Sequence, residues 1–139
     1  MIRIPLPILN RQLDNWLAML DADGHLPRAV IRYYSVGGQE HGTLLGDIQC
    51  SLPAFTSAVD AQAILNPTTP CTSALASGKA EVAIFMSRKA EVILSLPIVD
   101  PPLPGHAYEE AVIIAENTSI RKGDTISIGY LSVNLKRHL

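Results

Sequence analysis

"ALASGKAEVAIFMSRKAEVILSLPIV", residues 74–99, decides the fold, because its alanine, glutamate and lysine content suits a helix whereas its apolar runs suit strands. Gly78 and the run Val82-Ala83-Ile84-Phe85 favour two strands that turn near Ser87-Arg88-Lys89. Upstream, AVIRYYSV (29–36) is rich in β-branched and aromatic residues and ends at the turn signal Gly37-Gly38. GTLLGDIQCSLPAF (42–55) predicts a strand stopped by Pro53, and VDAQAIL (59–65) another, closed by Asn66-Pro67 and Pro70. Downstream, the proline-rich PIVDPPLPGHAYEE (97–110) predicts a long loop. AVIIAE (111–116) and TISIGYLSVNL (125–135) predict two last strands joined through Lys122-Gly123-Asp124. About eight short strands separated by turn signals predict a mainly β domain, a jelly-roll-like antiparallel β-sandwich.

The last strand changes phase. Ile126 and Ile128 fall on one face of an extended chain, whereas Leu131, Val133 and Leu135 fall on the other. A one-residue offset moves every later side chain to the opposite face, and a β-bulge absorbs such an offset. The sequence therefore predicts a bulge or sharp bend at Gly129-Tyr130.

The N-terminal residues read differently. Ile2, Ile4, Leu6 and Ile8 alternate with Arg3, Pro5 and Pro7, and in an extended chain both prolines remove donors from one edge only. Residues 1–9 are thus expected to be an extended arm, either an edge strand of the domain or a strand added to a neighbour's sheet. Leu9, Leu13, Trp16, Leu17 and Leu20 then share one helical face. With Asn10 as N-cap and Gly24 as stop, the expected short amphipathic helix spans 10–21. It opens a single domain over 10–139, and its apolar face covers the domain's own sheet or docks on a partner.

At 139 residues, with 47% hydrophobic against 17% charged, the chain is large enough for a real core and too apolar for disorder. The formal net charge of −2 offers no basic face, so nucleic acid is not an expected partner. No run reaches the roughly 20 apolar residues of a membrane span, and MIRIPLPILNRQ is too broken by prolines for a secretory segment. A reducing cytoplasm is the expected setting. Cys50 and Cys71 lack CxxC spacing and read as small buried side chains, although the sequence leaves a disulfide open.

Chemistry is not visible in the sequence. His25, His41, His106 and His138 are dispersed and belong to no metal motif. Asp21-Ala22-Asp23-Gly24 resembles the start of a calcium loop but lacks its later ligands, so it reads as a helix-ending turn. No nucleophile elbow, phosphate loop or dinucleotide fingerprint occurs, and no cofactor is expected. Aromatics are 5%, too few for an evident glycan platform, although Tyr33, Tyr34, Tyr108 and Tyr130 remain available to form one.

Five segments occur in a telling order: LDNWLAMLDADG, IRYYSV, GTLLGDIQCSLPAF, ASGKAEVAIF and IRKGDTISIGYLSV. In that order they resemble small structural proteins of tailed bacteriophages and prophages, over residues 10–135. Two features depart from the pattern. Ser87-Arg88-Lys89 replaces an acidic, glycine-containing turn, a change expected to matter little, and the 97–110 loop is longer. The resemblance implies a virion structural protein assembled in the bacterial cytoplasm, a capsid decoration or cement protein. It would bind the major capsid protein as a homo-oligomer, a trimer, without catalytic or metal residues. Expected contact residues are Ile2, Ile4, Leu6, Ile8 and Trp16 at the N-terminus and Pro101, Pro102, Leu103, Pro104 and Tyr108 in the loop. Burying the arm's four large side chains yields about 6–12 kcal/mol gross. Ordering the arm costs about 7–14 kcal/mol, so several arms must engage together. The alternatives are a tail or fibre-associated adaptor that binds glycans, and a small jelly-roll metal enzyme.

Overall fold

The computed structural model describes residues 4–105, 112–115 and 118–135. Helix α1 (Leu6–Ala18) comes first, followed by β1 (Val30–Tyr34), a four-residue helix α2 (Gly38–His41) and β2 (Leu44–Gln49). The rest is β: β3 (Gln62–Ile64), β4 (Gly78–Lys79), β5 (Val82–Met86), β6 (Val92–Val99), β7 (Ile113–Ile114), β8 (Ser119–Ile120) and β9 (Ser132–Asn134). The chain is mainly β, with a curled, antiparallel-rich sheet in the order β2-β1-β5-β6-β7 and one substantial helix at the N-terminus. Residues 74–99 form strands, not a helix, and β5 and β6 make the hairpin at the middle of the sheet. Along β6, Leu94, Leu96 and Ile98 are buried while Ser95 and Pro97 face out, the period of two of a half-buried strand. The β6–β7 pair is parallel.

Against the inner face of this sheet lie α1 and two small ladders, β3–β9 and β4–β8. Leu13, Leu17 and Leu20 from the helix side join Ile31, Phe85 and Leu96 from the sheet, Ala63, Ile120 and Val133 from the ladders, and Leu65 and Ile126 outside them in one core. Tyr34, Ile84 and Met86 form a smaller cluster on the opposite face. Two irregularities connect the layers. Pairing of Tyr33 with Gly46 and Tyr34 with Leu44 leaves Leu45 over, and its carbonyl accepts the Leu75 N–H. Pairing of Phe85 with Leu94 and Met86 with Val92 leaves Ile93 over, and its carbonyl accepts the Trp16 indole N–H at 3.1 Å. Each bulge takes one carbonyl out of its ladder and offers it elsewhere. At Gly46 the second layer comes so close that a Cβ would stand 2.9 Å from both Cys71 Sγ and Ile126 Cδ1.

The extended reading of the N-terminus is corrected at Leu6 and Ile8. Both are helical, and α1 begins four residues before the expected Asn10. Pro5 stands at the N-cap and Pro7 within the first turn, where no N–H partner is needed and the fixed φ suits a helix. The helix also ends earlier than expected, at Ala18. Its buried row is Leu9, Leu13 and Leu17, continued by Leu20 in the following turn, while Ile8 is 42% exposed.

The phase change near residue 129 is present, but a break in pairing carries it. Ile126 bridges Cys71, residues 127–131 belong to no ladder, and the chain then pairs with β3 through Ser132–Asn134. Ile126, Leu131 and Val133 are all buried, so passing from the single Cys71 bridge to the β3 ladder re-aims the side chains without a bulge.

Candidate functional site

The expected contact residues divide. Ile2 and Tyr108 lie outside the described residues. Ile4 and Leu6 are half-buried, and Trp16 is partly buried against the core with its indole N–H committed to Ile93. Pro101, Leu103 and Pro104 are exposed and Pro102 is half-buried. The two groups sit at opposite ends of β6. Trp16 is fastened at Ile93, whereas the proline-rich segment leaves at Val99, about 20 Å along an extended strand. They do not form a single surface.

Side chains of α1 and the turn after it hold the backbone of residues 54–61. Asn10 Oδ1 accepts the Ala61 N–H at 2.6 Å and Asp14 Oδ1 accepts the Ala58 N–H at 2.7 Å. Both Asp21 oxygens accept the Ala54 N–H, at 3.1 and 3.2 Å. Asn10 is therefore a clip for a turn instead of a helix cap, and that turn has positive φ at Asp60 and Ala61 between the mutual bonds of Val59 and Gln62. Asp21-Ala22-Asp23-Gly24 is also part of this framework. Arg88 donates from Nε to the Leu26 carbonyl at 3.0 Å, and from Nη1 to the Asp21 carbonyl at 3.4 Å and the Asp23 carboxylate at 3.3 Å. A Cβ at Gly24 would lie 2.3 Å from the Arg88 carbonyl oxygen. The Ser87-Arg88-Lys89 turn, expected to matter little, thus fastens the end of the helix region to the central hairpin.

Burial holds the Asp21 carboxyl above its ordinary value of 3.8, opposed by the Ala54 N–H bond and the Arg88 charge. The folded chain then binds this proton more tightly than the unfolded one. The contribution to stability is complete below the unfolded value and is lost as pH rises through the folded value. Asp21→Asn keeps an acceptor for Ala54 and removes the titration. In urea melts just above pH 3.8, this variant is expected to lose less stability with rising pH than the parent. Parallel curves would contradict the assignment.

Cys50 and Cys71 are free thiols. Burial, with a smaller effect from the Asp21 charge, pushes the Cys50 thiol up to about 12, so it stays protonated and inert. Among the described residues no three His, Cys, Asp or Glu side chains gather to hold a metal ion. No helix among them is long and apolar enough to cross a membrane. On the outer sheet face Arg32 Nε stands 3.3 Å from Asp47 Oδ1 across the β1–β2 ladder, an ion pair by distance without the alignment of a hydrogen bond.

Among the described residues, one hollow has a volume of about 650 Å³. Its wall combines Tyr33 of β1 and Ala80 with Ile114, Ile120 and the 125–130 segment, and every described lining residue is uncharged. Tyr33 is 2% exposed and its hydroxyl has no hydrogen-bond partner among the described residues. A buried polar group left unpaired costs about 1–3 kcal/mol. Desolvation raises the phenol above its ordinary value of 10.0, so it keeps its proton and remains a donor. The sequence carried one usable signal: adjacent Tyr33 and Tyr34 must point to opposite faces of a strand, so one of them enters the interior. Two shallower hollows of about 360 Å³ lie beside Asp14 and Phe55 and beside Lys79 and Asp100. Comparison of the chain with protein-family models, with curated proteins and with solved structures found no match.

Proposed function

We propose that this chain is a docking protein of a tailed-phage or prophage virion, a capsid decoration or cement protein that binds the major capsid protein. In this reading the curled sheet and the opposing ladders are the two halves of a jelly-roll-like sandwich, and the working unit is a homotrimer. The five ordered segments support the virion setting.

The supporting observation in the fold is Leu103, which is 73% exposed between Pro102 and Pro104. Prolines on both sides restrict the backbone, so the leucine is presented with little conformational freedom left to lose on docking. Burying it in a partner is worth about 1.5–3 kcal/mol, a factor of roughly ten to a hundred in occupancy when unaided by other contacts. Leu103→Asp is expected to lower co-sedimentation with capsid shells by at least about tenfold while the melting temperature stays at the parent value. Unchanged occupancy would contradict this role for the proline-rich segment. The trimer is checked by sedimentation velocity, where three chains of 15.0 kDa give a particle of about 45 kDa. A tail-associated position instead of a head-associated one, seen as density on particles, would favour an adaptor role.

A further inference from the structure

We propose that Asp23-Gly24 is a site of spontaneous isomerisation, and that the isoaspartate formed there loosens the fastening between the helix end and the central hairpin. Asp23 is the one aspartate or asparagine in the chain that glycine follows. Glycine has no Cβ, so its amide nitrogen reaches the carboxyl carbon of the preceding side chain with little obstruction. The Asp23 side chain is fully solvent-exposed, and its 3.3 Å pair with Arg88, open to water at the carboxylate, restrains it little. Among the described residues, the amides of residues 22–25 donate no hydrogen bond, whereas Asp21 and Leu26 on either side donate to the Ala18 and Arg88 carbonyls. The nucleophile is therefore unpaired. Other aspartates differ: the Asp21 carboxylate is committed to Ala54, the Ala61 amide after Asp60 is held by Asn10 Oδ1, and Asp100 precedes a proline, which has no N–H.

The chemistry needs only water. The Gly24 nitrogen attacks Asp23 Cγ and forms an N–Cγ bond, while one carboxyl oxygen leaves as water with the amide proton and the proton of the carboxyl group. The product is a cyclic imide. Water then adds to one of its two carbonyl carbons. Addition at Cγ breaks the new bond and restores aspartate, whereas addition at the main-chain carbonyl carbon breaks the original peptide bond and leaves isoaspartate. The chain then runs through Cβ and Cγ, unchanged in mass but longer by a methylene. That extra length falls where the fold has no slack. Arg88 holds both ends of the span: Nη1 donates to the Asp21 carbonyl at 3.4 Å, Nε donates to the Leu26 carbonyl at 3.0 Å, and the Arg88 carbonyl accepts the Leu26 N–H at 3.0 Å. Between these anchors Gly24 packs so closely on the Arg88–Lys89 peptide that a Cβ would lie 2.3 Å from the carbonyl oxygen and 2.7 Å from the Lys89 nitrogen. A methylene inserted beside Gly24 pushes the span outward and pulls on those bonds.

Ageing of the full chain at physiological pH and temperature, folded and in parallel in urea, tests this. Digests are resolved by chromatography with electron-transfer fragmentation, and isoaspartate is counted with S-adenosylmethionine and an isoaspartyl methyltransferase. Isoaspartate is expected at Asp23 in the folded chain, at a rate within about tenfold of that in urea, because an unpaired span opens at little cost. Asp23→Glu should abolish the signal, since the longer side chain has to close a larger, less favourable ring. The isoaspartyl form, separated from the parent by ion exchange, should unfold at a lower urea concentration. Absence of isoaspartate at Asp23 in the folded chain, protection by folding of more than about tenfold, or a signal that survives in Asp23→Glu overturns the site. An isoaspartyl form with the parent's urea midpoint overturns the loosening.

Discussion

Phe85→Ala is expected to destabilise the fold by about 3–5 kcal/mol, the largest single effect available in this chain. Phe85 is fully buried at the middle of β5, itself the central strand, and pairs with Ile31 on one side and Leu94 on the other. Its ring lies 6.1 Å from that of Phe55, tilted by 33°, so it joins the sheet to the layer that carries the helix clips. Removing it opens a cavity that strands paired on both edges cannot close. A domain of this size is stable by roughly 5–15 kcal/mol, so the loss should be plain as a drop in the urea midpoint. A change under about 1.5 kcal/mol would mean that the two layers do not meet at this residue.

Arg88→Ala should produce the second large loss, about 2–3 kcal/mol, because hydrogen bonds from a charged donor are worth more than neutral ones and two carbonyls are left without it. The relevant partners are the Leu26 and Asp21 carbonyls, not Asp23. Asp23 is fully solvent-exposed, so Asp23→Asn is expected to leave the urea midpoint where it was, even though the pair is 3.3 Å apart. Arg88→Lys should recover only part of the loss, since one ammonium cannot reproduce the fork that reaches both carbonyls. If Arg88→Ala falls within about 0.5 kcal/mol of the parent, the turn is merely a surface feature.

These two residues also mark how far the sequence could be read. Phe85 closes the Val82-Ala83-Ile84-Phe85 run, which together with Gly78 favours strands over a helix in an otherwise ambiguous segment, and the hairpin follows from it. The helix face was equally legible through Leu9, Leu13 and Leu17. Its start was not, because Ile4, Leu6 and Ile8 satisfy a period of two while Leu6, Leu9 and Leu13 satisfy one of three to four, and prolines are permitted by both. Arg88, Asn10 and Asp14 were illegible for a different reason. Their partners are backbone groups, which leave no side-chain signature at the receiving end. The cavity was beyond reach too, since its walls come from β1, β7, β8 and the 125–130 segment.

Quantitative mass spectrometry of purified virus particles, from a host that carries this sequence, tests the docking reading most directly. The expected result is this chain in a fixed ratio to the major capsid protein and of the same order in copy number, with the ratio falling when Leu103 is replaced by Asp. Its absence from the particles, or a handful of copies against a full shell, would contradict a decoration role.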